Sequence, residues 1–181
     1  MTQRYLLTGL LLAGMAFVPA VPMSAATKEC PVSRATPESY KWNFKNEASQ
    51  LLDRVRTDAL DARHHAATLE SVAEDTDIDW RFDADQLNTI RHDINDMGNV
   101  LCRLETIRRV ASPQEKHVID RTFPLISSMA GNADAAIKNL NQNQLDFWQP
   151  VYKTYADNLY TDARKLSNAI GRFEAQANTR S

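Results

Sequence analysis

Apolar residues recur at alternating steps of three and four along most of this chain, the spacing that gathers them on one face of a helix. The first such stripe runs Phe44, Ala48, Leu51, Val55, Ala59, Ala62, Ala66, Leu69 and Ala73. A second runs Leu87, Ile90, Ile94, Met97, Leu101, Leu104 and Arg108, polar only at its last place. The third holds Ile119, Phe123, Ile126, Met129, Ala133, Ile137 and Leu140, and the fourth Trp148, Tyr152, Tyr155, Leu159, Leu166, Ile170 and Phe173. These stripes predict helices over about 37–75, 84–111, 113–140 and 145–177.

The segment ends carry matching start signals. Thr36-Pro37 supplies a capping hydroxyl followed by a proline at the first helical position, where its missing N–H costs nothing. Asp83 with Gln86 three residues on reads as a capping box for the second helix, and Ser112-Pro113 with Glu115 reads as one for the third. Pro124 lies inside the third helix and predicts a kink. The fourth helix has two candidate starts, one near Asn143 and one at Pro150. Short links between long amphipathic helices force neighbours to run antiparallel, so the expected fold is all-α, an antiparallel up-and-down four-helix bundle over 37–178. A turn near Gln142 would set the small-sided stretch Ser127, Ser128, Ala130, Gly131, Ala133 and Ala136 opposite Trp148, Tyr152 and Tyr155.

The first 26 residues have a different pattern. Arg4 precedes an uncharged apolar run from Leu6 to Val18, Pro19 and Pro22 break it, and Ser24-Ala25-Ala26 offers small residues for a signal peptidase. This is the layout of a secretory signal peptide, with an apolar run too short for a comfortable membrane span. An extended segment, 27–36, would then lead into the bundle. The expected location is extracytoplasmic: periplasmic in a Gram-negative bacterium, secreted otherwise. Cleavage after Ala26 would leave 155 of the 181 residues and remove one cation, Arg4, moving the net charge from −2 to −3. Both signs are interspersed and no basic block occurs, so neither nucleic acid nor an anionic membrane is an expected partner.

Candidate chemistry is sparse. Asp75, Asp77, Asp79 and Asp83 match positions one, three, five and nine of a helix-loop-helix calcium loop. Trp80 stands where the tight turn needs glycine, and Gln86 where a bidentate glutamate should close the cage. That link therefore reads as solvated. His65 and His92 come to similar height if the first two helices are antiparallel, which makes them weak candidates for a surface metal site. Glu-x-x-His pairs, CxxCH, a GxSxG elbow and a glycine-rich phosphate loop do not occur in the sequence. No catalytic residue or cofactor is assigned. The expected function is non-enzymatic, a protein–protein interaction or scaffold module acting on another envelope or secreted protein. The runner-up is a small-ligand or metal-binding bundle, its ligand pocket lined by Trp148, Tyr152 and Tyr155. Oligomeric state is not readable from the sequence.

Cys30 and Cys102 are the two cysteines. In an exported chain a pair predicts a disulfide. Gly98 lies one turn before Cys102 on the same flank of the second helix, a bare patch over which the sulfur leans. The segment around Cys30-Pro31 is expected to cross there, tied down by a Cys30–Cys102 bond that stabilises by about 4 kcal/mol in the chain-entropy model. Alkylation of the unfolded, unreduced chain should add no mass, and two alkylated thiols would end this pairing.

Overall fold

A computed structural model of the chain describes residues 44–73, 75, 77–145 and 149–179. The signal-peptide reading, the 27–36 segment, the Thr36-Pro37 helix start, Cys30 and Trp148 all lie outside those residues. Within them, four long helices follow one another: α1 (Phe44–Val72), α2 (Trp80–Ile107), α3 (Pro113–Gln142) and α4 (Pro150–Asn178). Helix α1 packs along both α2 and α4, α3 packs along α4, and α2 meets α3 over a shorter face. The result is an antiparallel up-and-down four-helix bundle.

Helix α1 ends at Val72 rather than 75 and α3 at Gln142 rather than 140; three further boundaries differ from the sequence reading, each for a local physical reason. Helix α2 begins four residues before the predicted start, because Asp79 rather than Asp83 caps it: its side chain accepts the Arg81 N–H at 2.9 Å. The extra turn lets Trp80 pack on the core while Arg81 stacks over its ring at 4.8 Å. The predicted Asp83–Gln86 box is therefore not formed, and Asp83 is completely buried inside the helix. At its other end α2 tightens into a 3-10 turn over Arg108–Val110 instead of continuing to 111. Helix α4 starts at Pro150, not 145, because Gln149 takes the extended conformation favoured before proline (φ −65°, ψ 153°). The box at the start of α3 is as expected, with Glu115 N–H donating to Ser112 Oγ at 3.2 Å and Ser112 N–H to Glu115 Oε2 at 2.7 Å.

The core is one continuous cluster drawn from all four stripes. Two stripe positions are corrected. Leu52 is fully buried where Leu51 is only partly so, since α1 faces two neighbours and needs a broader apolar face than a single seam. Phe123 is 51 % exposed, and Thr122 turns inward in its place, its hydroxyl satisfied by the Val118 carbonyl at 2.9 Å. Helix α3 runs through Pro124 as one element.

Polar ties at the rim fix the relative heights of the helices. Moving up α1 from Glu47 to His65 moves down α2 from Arg103 to Gln86: Arg103 grips the Glu47 carboxylate with two nitrogens, and His65 Nδ1 meets Gln86 Oε1 at 2.7 Å. Arg56 joins α1 to Glu174 of α4 at 2.9 Å. Between α3 and α4, Ser128 donates to Asp162 at 2.6 Å and Asn158 to Asn132 at 3.2 Å. That register puts Tyr152 and Tyr155 nearer Ala136 than Ser128. The expected opposition of the whole small-sided stretch to the aromatics is thus shifted, because the α3–α4 turn falls later than Gln142.

Substitutions should report this packing. Ala62 is completely buried, and Ala62→Leu is expected to cost about 1–3 kcal/mol by overpacking. A methyl added at Gly131 would meet nothing within 4 Å, so Gly131→Ala should stabilise by about 1 kcal/mol. Urea unfolding midpoints moving down and up respectively would agree with both.

Candidate functional site

Three places in the bundle hold polar chemistry beyond ordinary helix ties. The first is the end carrying the α1–α2 and α3–α4 links. Asp83 is buried there, and neither carboxylate oxygen has a hydrogen-bond partner among the described residues. Burial pushes its carboxyl up to about 7. Tyr152 of α4 is buried nearby, its hydroxyl held well above the ordinary phenol range by burial and by the Asp83 charge. Tyr155 is half-buried against the core, and the third predicted pocket residue, Trp148, lies outside the described residues. The described aspartates of the acidic link have separate local roles. Asp75 accepts the Asp77 N–H, Asp79 caps α2, and Asp83 belongs to the core.

The second place is the face shared by α1 and α2. His65 is already bonded to Gln86, while the exposed His92 pairs along its own helix with Asp96 at 3.1 Å. Beside them, burial first, then Asp96 and Asp61, raise the Asp58 carboxyl. Asp93 is pushed up to about 6, chiefly by burial, with His65 opposing it and Asp61 and Asp58 adding to it. The two predicted histidines thus both act electrostatically on one carboxylate, that of Asp93. Among the described residues no group of three or more His, Cys, Asp or Glu is placed to hold a metal ion. Cys102 lies further along α2, and no cysteine is free among the described residues.

The third place is a groove between α3 and α4, which sequence reasoning did not single out. Two adjoining depressions of about 460 and 710 Å³ run along it, sharing Arg121, Ala169 and Arg172. On α3, His117, Arg121 and Leu125 follow at steps of four, so they line one wall. On the α4 side Lys165, Asn168 and Arg172 line the other, with Arg164 beside them. Val118, Leu125 and Phe173 give the groove apolar surface.

Its charges are unequally matched. Asp120 is gripped by Arg108 through two bonds of 2.6 and 2.8 Å, which hold its carboxyl below the usual range. Lys165 has Asp162 at 3.2 Å. Arg164 lies over the Tyr160 ring at 5.4 Å, and Arg172 donates to the Asn168 carbonyl at 3.2 Å. Arg121, Arg164 and Arg172 have no carboxylate partner among the described residues. The groove therefore offers three guanidinium groups to an anion, beside apolar wall. In the sequence these arginines come from segments more than forty residues apart, and the only local hint was the eight-residue step from Arg164 to Arg172.

No family model, curated protein or solved structure matches this chain. None of the described helices is long and apolar enough to cross a membrane.

The Asp83 carboxyl makes stability depend on pH. Its folded value near 7 stands above the unfolded value of about 3.9, so between those pH values the folded chain keeps a proton that the unfolded chain has lost. Stability is then greatest at the acidic end of the window and falls as pH rises through it, by roughly 4 kcal/mol in full. Asp83→Asn copies the neutral carboxyl and should leave only the smaller slope contributed by the other raised carboxyls, Asp93, Asp58 and Glu174. Urea midpoints at about pH 5 and pH 8 should converge in the variant, and an unchanged gap would refute this assignment.

Proposed function

We propose that the protein is an exported helical bundle that serves, without chemistry of its own, as a protein–protein interaction module whose contact face is the α3/α4 groove. The observation that carries this reading is the gathering of three arginines from two helices in one groove that also has apolar wall. Three other arginines tie one element to another: Arg103 to Glu47, Arg56 to Glu174 and, at the edge of the groove, Arg108 to Asp120. Along the groove, Arg121, Arg164 and Arg172 are left without carboxylates beside Leu125 and Phe173. Cations next to accessible apolar side chains form the kind of surface a polypeptide partner covers, since arginine and aromatic residues are enriched in such interfaces.

Export is supported by the layout of residues 1–26, with Arg4, the apolar run to Val18 and the small residues before position 27. A Cys30–Cys102 bond belongs to the same reading, supported by the presence of only two cysteines and by the lack of a free one among the described residues. The partner expected is another envelope or secreted protein.

A photo-crosslinking residue tests the contact face. Placed at the exposed Asn168 in the groove, it should give a discrete adduct with one partner in intact cells. The same residue at the exposed Asn95 of α2 should give none. No adduct from position 168, or equal adducts from both, would remove the groove as the contact face.

A further inference from the structure

We infer that the groove between α3 and α4 takes an acidic polypeptide segment in which carboxylates alternate with apolar side chains. This inference rests on the reading of the groove as the contact face and names the chemistry of its occupant. Arg164 and Arg172 are eight residues apart on one helix, which is about 12 Å of axial rise. An extended chain covers that distance in about four residues. Arg121 reaches the same groove from the opposite wall, where it lines both depressions with Arg172. A bound segment would thus meet guanidinium groups from two sides.

Guanidinium groups select planar carboxylates, which they can engage through two parallel hydrogen bonds. The apolar surface between them asks for something more than charge. Leu125 on one helix and Phe173 on the other, both half-buried, would keep their outer surface in water beneath a purely ionic ligand.

Two rival occupants fit less well. A nucleic acid or an anionic membrane is drawn by extended positive potential, but this chain has a net charge of −2. Its α1/α2 side also carries Asp58, Asp61, Asp93 and Asp96; burial first and neighbouring aspartates second raise the Asp58 and Asp93 carboxyls. That side repels a long polyanion, whereas a short acidic segment is steered into one groove. The chain's own N-terminal residues do not fit either. Residues 27–43 mix Lys28, Arg34 and Lys41 with Glu29 and Glu38, and so carry no acidic run.

The test uses the full mature chain and a labelled synthetic peptide of about nine residues repeating Glu-Glu-Leu, followed by fluorescence anisotropy. Binding is expected at low ionic strength and should weaken at least about tenfold at about 300 mM salt, as screened carboxylate–guanidinium contacts require. Arg121→Glu with Arg172→Glu should abolish it, and Arg121→Gln with Arg172→Gln should weaken it about tenfold. The double reversal Arg54→Glu with Arg63→Glu on α1 should leave it unchanged. Circular dichroism on each variant separates lost binding from lost fold, and the milder glutamine pair keeps the test decisive if the reversal unfolds.

Several results would overturn the proposal: no peptide binding, equal binding by the groove variants, or tighter binding of a single-stranded oligonucleotide or of phosphatidylglycerol vesicles. A salt-sensitive dimer abolished by the same groove reversal would assign the groove to a second copy and also overturn it. If the peptide fails while the Asn168 adduct persists, the groove remains the contact face and only the acidic class of occupant falls.

Discussion

Helix α1 meets its neighbours across a seam built mainly of alanine, and the rest of the bundle is arranged to suit it. Ala48, Ala59, Ala62, Ala66 and Ala73 are all essentially inaccessible to solvent, broken only by Leu52, Val55 and Leu69. Such a seam contributes little apolar area of its own. It lets two flanking helices approach closely, and they bring the volume: Leu87, Ile90, Ile94 and Met97 from α2, and Leu159, Leu166 and Ile170 from α4. Close-packed interiors tolerate neither voids nor excess volume, so small positions on one helix dictate large ones on the helices opposite. This explains why α1 shares long faces with both α2 and α4 while α2 and α3 touch over a shorter one.

Once that packing sets the heights of the helices, the polar side chains divide into three kinds. Some become ties across the rim, such as Glu47–Arg103 and Arg56–Glu174; pairs this exposed add specificity of register more than stability. One, Asp83, is carried into the core at the link end and is tolerated there as the neutral acid. Arg121, Arg164 and Arg172 line the groove between α3 and α4. In the register that pairs Glu47 with Arg103 and Glu174 with Arg56, these arginines have no carboxylate partner among the described residues. An interaction face thus follows from packing constraints elsewhere in the molecule.

Much of the architecture was legible from residue spacing. Four stripes, a capping box at Ser112 and short links were enough for the bundle and its topology, because helical periodicity and capping are local properties. The misread boundaries have a common cause. Asp79 and Asp83 are both competent caps by residue type, and only the burial of Trp80 one turn earlier selects the first. Gln149 and Pro150 likewise outweighed a helix start at 145 through backbone restrictions on the residue before proline. Phe123 looked like core by hydrophobicity, yet Thr122 could be buried in its stead by bonding within its own helix.

The amino-acid sequence by itself determined the number of helices, their amphipathic faces, their antiparallel order and the expectation of an exported chain with two cysteines. Each of these rests on residues close together in the chain or on simple counts. Only the tertiary structure decided that Asp83 is a core acid rather than a cap, that His65 bonds to Gln86 while His92 pairs with Asp96, and that three separated arginines share one groove. Those outcomes depend on the relative height of two helices. Shifting one past the other by a few residues changes every such neighbour, while the periodic pattern within each helix stays the same.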